Sequence, residues 1–144
     1  MARYIIDTHI LIKFLSDDSK LRPEQRKAFK ESNSEFYVLT NVFEEIRYKF
    51  EKFKKDGVNL GSIKIPPIIV WSITKKCKNV RIKKLENIQI GKWVKSKPDL
   101  RLIKKDDLPF VVLQLILQKE YPKTEVRIIT NDDIIRKHVL TKTI

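Results

Sequence analysis

Apolar residues along the chain fall into short runs that stop at polar or acidic positions, and several of the stops begin a helical spacing. Tyr4-Ile5-Ile6 is a run of β-formers that ends at Asp7, after which Ile10, Leu11, Phe14 and Leu15 recur at helical intervals. The pattern predicts a strand, then Asp7, then a helix. Phe36-Tyr37-Val38-Leu39 predicts a second strand, with Thr40 or Asn41 capping a helix to about Lys55 whose apolar face is Val42, Phe43, Ile46, Phe50 and Phe53. Val126-Arg127-Ile128-Ile129 repeats the opening order, leading through Thr130-Asn131-Asp132-Asp133 into a short helix from Ile134. Asp106 and Asp107 open an apolar helix from Leu108 to about Glu120, with Pro109 tolerated in its first turn and greasy positions on more than one face.

The remaining stretches are plainer. A short helix is expected from Pro23 to Lys30, a short strand at Val80-Arg81-Ile82, and a helix over Glu86 to Ser96 through Ile90, Trp93 and Val94. Asp56 to Pro67 reads as a loop, and Ile68 to Thr74 fits either a strand or a buried helix. Strands alternating with helices predict an α/β domain with a parallel sheet. At 144 residues the chain suits one domain over 1–144, and no repeat, linker or low-complexity tract divides it.

Charge changes the picture. The 31 Lys and Arg against 18 Asp and Glu leave a net +13, which points to a polyanionic partner, with a solubilising surface as the plainer explanation. Lys75, Lys76, Lys78, Arg81, Lys83 and Lys84 form a basic cluster without an intervening acid, suited to a phosphate backbone or simply to a solvated face. A single cysteine precludes an internal disulfide and fits a reducing cytoplasm. No apolar run approaches the roughly 20 residues of a membrane span, and the N-terminus has no signal-peptide pattern, so a cytoplasmic protein with no membrane association is expected.

Against this basic background stand a few acids at strand and helix ends. In an open α/β sheet, ligands bind beyond the carboxyl ends of the strands, where Asp7 and Asp132 are expected. Each is also a plausible helix cap. On the helix after the second strand, Glu45 lies about 110° from the centre of the apolar face and Glu44 about 150°, so Glu45 can look into a groove while Glu44 faces water. Similar geometry makes Asp107 the better groove-facing acid and Asp106 the better cap, with the reverse and Asp133 left open as alternates. Acids converging in one crevice repel one another unless a cation joins them, and hard Mg²⁺ or Mn²⁺ takes carboxylate oxygens, water and phosphate. Basic flanks around an acidic centre describe a metal-dependent nuclease.

The residues Tyr4 to Leu11, Thr40 with Glu45-Ile46, Asp107 opening an apolar helix, and Ile129-Thr130-Asn131-Asp132 appear in an order that resembles the PIN domain, most closely the VapC-type toxins. The resemblance implies a three-layer α/β/α sandwich around a central parallel sheet. It implies Asp7, Glu45, Asp107 and Asp132 around Mg²⁺ or Mn²⁺, with Thr130 orienting a carboxylate or water. It also implies cleavage of single-stranded RNA, homodimerisation and, for toxins, neutralisation by an antitoxin. This chain departs from the pattern at His9, where the family often has Asn, and at Val112 and Gln114, where small residues are usual. Residues 57–97 match no motif. Other readings are a PIN-like RNA- or protein-binding module with a degraded site, a housekeeping RNA-processing nuclease, and a phosphotransferase with Asp7 as nucleophile. The last lacks the acid expected two residues later, where His9 stands.

Overall fold

The structure is a computed structural model that describes residues 1–46, 79–138 and 140–144. Strand β1 (Ala2–Ile6) leads through Asp7 into helix α1 (Thr8–Ser16), followed by a 3-10 turn (Asp18–Lys20) and α2 (Pro23–Phe29). Strand β2 (Glu35–Leu39) runs straight into α3, described over 40–46. Then come β3 (Val80–Lys83), α4 (Asn87–Ser96), a 3-10 segment (Pro98–Leu102), α5 (Leu108–Glu120), β4 (Glu125–Ile129) and α6 (Asp133–Lys137). The expected helix positions Phe50 and Phe53, the loop 56–67 and the undecided stretch 68–74 lie outside the described residues.

All strand pairings are parallel, in the order β3-β2-β1-β4. The chain therefore builds outward from β1 through β2 to β3, then returns to place β4 on the other side of β1. That reversal makes the carboxyl ends of β1 and β4 the switch point, where an open α/β sheet leaves its crevice.

Every residue of β1 is buried, so both faces of the sheet are covered and the domain is an α/β sandwich. On one face a column of rings runs from the sheet into the helices. Tyr4 stacks on Phe36 at 5.6 Å, Phe36 on Phe29 of α2 at 5.5 Å, and Phe29 on Phe14 of α1 at 4.0 Å. On the other face the Arg3 guanidinium lies 3.5 Å from the centre of the Tyr121 ring, just past the end of α5, and pairs with Glu35 at 3.3 Å. With its last turn over the start of β1, α5 runs antiparallel to the strands. Its first residues, and Asp107 before them, consequently sit at the carboxyl end of the sheet.

Helix α5 is buried on several sides, through Phe110, Val111, Val112, Leu113 and Leu117. Its Gln114 is also buried, and the amide donates to the carbonyls of Val126 (3.1 Å) and Lys142 (2.9 Å). The second acceptor belongs to a C-terminal segment that the hydrophobic pattern did not reveal. There Thr143 bridges Ile128, with Ile128 N–H donating to Lys142 O and Ile144 N–H to Ile128 O, so the free edge of β4 is covered.

Candidate metal centre at the sheet switch point

Alternation along β1 gives Asp7 the same face as Arg3 and Ile5, which is the face that carries α5. Asp7 is buried and serves two purposes at once. One carboxylate oxygen caps α1 by accepting from Thr8 N–H at 2.7 Å, and the other accepts from the Thr130 hydroxyl at 2.6 Å. Capping and a crevice-facing position, posed above as rivals, coexist here. The Thr130 oxygen also accepts from Asp132 N–H at 3.0 Å, so one buried hydroxyl ties the end of β1 to the turn after β4.

Asp132 spends its Oδ1 on capping α6, taking the N–H groups of Ile134 (2.9 Å) and Ile135 (3.1 Å). Among the described residues its other oxygen accepts no hydrogen bond. Glu45 is half-buried at the flank of α3 and receives the Thr8 hydroxyl at 2.7 Å, whereas Glu44 is exposed, as the helical angles required.

Asp107 occupies the position before α5, yet its side chain makes no cap bond. Asp106 was expected to cap that helix. It is exposed, and the position is taken by Asp107, whose own N–H and that of Leu108 are tied back to Lys104 O. Burial pushes the Asp107 carboxyl up to about 6, helped by the negative charges of Asp132 and Asp7, while Lys104 opposes the rise. Burial likewise raises the Asp7 carboxyl; the Thr130 and Thr8 hydrogen bonds and the His9 charge act against it, and Glu45 adds to it. Each carboxylate senses the next across the notch.

Oxygen donors of this kind, short of positive charge, match the needs of Mg²⁺ or Mn²⁺ in donor chemistry. Among the described residues, however, no three His, Cys, Asp or Glu side chains are drawn together into a group able to hold a metal ion as they stand. Two of the carboxylates, Asp7 and Asp132, each give one oxygen to backbone N–H groups. Asp133, an alternate, lines a separate shallow cavity with Leu102.

The basic cluster divides. Lys75, Lys76 and Lys78 lie outside the described residues. Arg81 pairs with Glu35 at 3.4 Å, toward the amino end of the sheet. Lys83 is in register with Leu39, and Lys84 follows it, so both exposed amines emerge at the same end of the sheet as the notch. Two features escaped the sequence pattern. The Thr8 hydroxyl positions Glu45, and Gln25, buried in α2, holds Asn131 Oδ1 at 3.0 Å beside the site. A Thr after a strand-ending Asp is a weak signal for the first, and a Gln inside an exposed-looking helix gives none for the second.

No helix among the described residues is long and apolar enough to cross a membrane. No protein-family model and no curated protein matches this sequence. Among solved structures, the chain is similar to one in the crystal structure of VapBC2 from Rickettsia felis bound to a DNA fragment from their promoter. The TM-score is 0.59 with 12% identity, over 99% of this chain and 97% of that one. At that identity the likeness is one of fold, and the fold is the PIN-like α/β architecture with a central parallel sheet that the order of motifs led one to expect.

Proposed function

We propose that this protein is a Mg²⁺- or Mn²⁺-dependent endoribonuclease acting on single-stranded RNA, with Asp7, Asp107, Asp132 and Glu45 as the metal-holding carboxylates. The single observation that carries this reading is the meeting of Asp107, Asp132 and Asp7 at the switch point, where the Asp107 carboxyl, raised to about 6 chiefly by burial, also feels the negative charges of the other two. A surplus of buried negative charge in a protein of net +13 is costly without a cationic ligand, and a nuclease site has a use for one. The fold's likeness to a toxin–antitoxin structure favours the same class.

The chain's own residues have distinct tasks in this scheme. Thr130 and Thr8 fix the Asp7 oxygens, α6 fixes Asp132, and the Thr8 hydroxyl orients Glu45. The bound cation would polarise a phosphoryl oxygen and acidify a water. Lys83 and Lys84, at the same end of the sheet, would neutralise phosphates on either side of the cleaved bond. Net hydrolysis places the water's oxygen on phosphorus and returns a proton to the departing sugar oxygen. As a toxin the protein would work in the cytoplasm, pair with itself, and be held inactive by an antitoxin protein.

The test is incubation of synthetic single-stranded RNA with the purified protein in Mg²⁺, in Mn²⁺ and in chelator. Cleavage confined to the metal-containing samples supports the reading. Equal RNA binding in all three, with no cleavage and no calorimetric manganese uptake, replaces it with a binding module. That second reading draws on the absence, among the described residues, of a ready-made group of three metal ligands.

A further inference from the structure

Beside the notch lies a second concavity that the proposed chemistry leaves unused. Leu102, at the end of the 3-10 segment, is 76% exposed and Ile134 of α6 is 42% exposed. With Asp133, Lys137 and His138 they line a shallow cavity of about 330 Å³. Apolar side chains presented together to water gain nothing from the fold itself, and such patches commonly mark a binding surface.

The cavity adjoins the notch through α6. Ile134, on its lining, donates its N–H to the Asp132 carboxylate at 2.9 Å, so the two sites share a backbone. The His138 ring is pinned at both nitrogens. Nδ1 accepts from Leu140 N–H at 3.1 Å, which leaves Nε2 to carry the proton donated to Asp99 O at 2.8 Å. A flat ring fixed in the same lining as two exposed aliphatic side chains offers a platform for another flat, apolar-faced group.

We infer that this cavity is a subsite for one nucleobase of the RNA, that of the nucleotide adjoining the phosphate held at the notch; the inference rests on the nuclease reading. Stacking platforms of this kind hold unpaired bases by their faces. Lys137 at the rim supplies a cation for the adjoining phosphate. The Asp133 carboxylate accepts hydrogen bonds only, so it pairs with N–H groups on a base edge, the amino groups of adenine, cytosine and guanine or the ring N–H of uracil.

The experiment measures binding without cleavage, using Asp7→Asn protein and a short RNA in which each base is removed in turn. One abasic position is expected to weaken binding by about tenfold, and Leu102→Ser is expected to abolish that sensitivity while leaving the other positions unchanged. If the RNA binds but no single abasic position matters, the subsite is refuted and the nuclease reading stands. If no RNA binds at all, the failure belongs to that reading, and both fall. If sedimentation shows that Leu102→Ser converts a dimer to a monomer with base sensitivity unchanged, the face is a contact between copies and the subsite is refuted.

Discussion

The Thr130 hydroxyl donates to Asp7 Oδ2 at 2.6 Å across 123 positions of sequence, and accepts from Asp132 N–H. Thr130→Val keeps the shape, removes the donor and leaves a buried carboxylate oxygen unsatisfied. That should cost about 1–3 kcal/mol, while Thr130→Ser, which retains the hydroxyl, should cost under about 1 kcal/mol. Urea unfolding of both variants decides it; equal losses would mean that the methyl group, and not the hydrogen bond, matters there.

Asp7→Asn is expected to lower metal-dependent RNA cleavage by at least about 100-fold, since the amide is a poor ligand for a hard cation. Stability should hold or rise. Asn relieves the buried charge that pushes the carboxyl up, and its carbonyl still caps α1 through Thr8 N–H. Paired melting curves and cleavage assays separate the two effects. Loss of activity accompanied by loss of the folding transition would remove the support for a chemical role.

Much of this was legible before any coordinates. The strand-ending Asp7 and the Thr130-to-Asp133 turn announced themselves because an abrupt end to a β-rich run is a local signal, and α/β order follows from such ends alone. The angle between Glu44 and Glu45 was likewise readable from helix geometry. What stayed hidden depends on distance in sequence. Nothing in Lys142-Thr143-Ile144 suggests a strand, because its pairing is supplied by Ile128 and its anchoring by the Gln114 amide. The capping role expected of Asp106 failed for a related reason. The turn from Lys104 satisfies the first N–H groups with backbone, so no side-chain cap is required. Helix α5, expected to be greasy on more than one face, is buried through Phe110, Val111, Val112, Leu113 and Leu117, while Leu108 and Leu115 are only partly covered.

Lys83 and Lys84 emerge at the notch end of the sheet, whereas Arg81 is engaged by Glu35 nearer the other end. If RNA crosses the carboxyl ends of the strands, Lys83→Ala and Lys84→Ala should each reduce the salt dependence of binding by roughly one counterion, and Arg81→Ala by much less. Titrations at several salt concentrations read the slope directly. Equal slopes for all three variants would place the phosphate track elsewhere.

The last prediction concerns pH and follows from Asp107, whose carboxyl is raised from 3.8 to about 6. A raised carboxyl means that the folded protein holds its proton more tightly than the unfolded chain does. Between about pH 4 and 6 the native state therefore binds more protons, and this residue's contribution to stability falls as pH rises through that window. Above it the penalty is constant. Because Asp107 is only half-buried, solvent screening reduces the effect to the order of 1 kcal/mol. Asp107→Asn should accordingly be more stable than the parent at pH 7 and equal to it near pH 4, so the difference between the two melting curves, rather than either alone, isolates the residue. Manganese should reverse the sign. A cation favours the ionised carboxylate, so its stabilisation of the parent should grow as pH rises through about 6 and be weak in the variant. A difference curve that is flat from pH 4 to 8, with or without manganese, would disconnect Asp107 from Asp7 and Asp132 and remove the observation on which the nuclease reading stands.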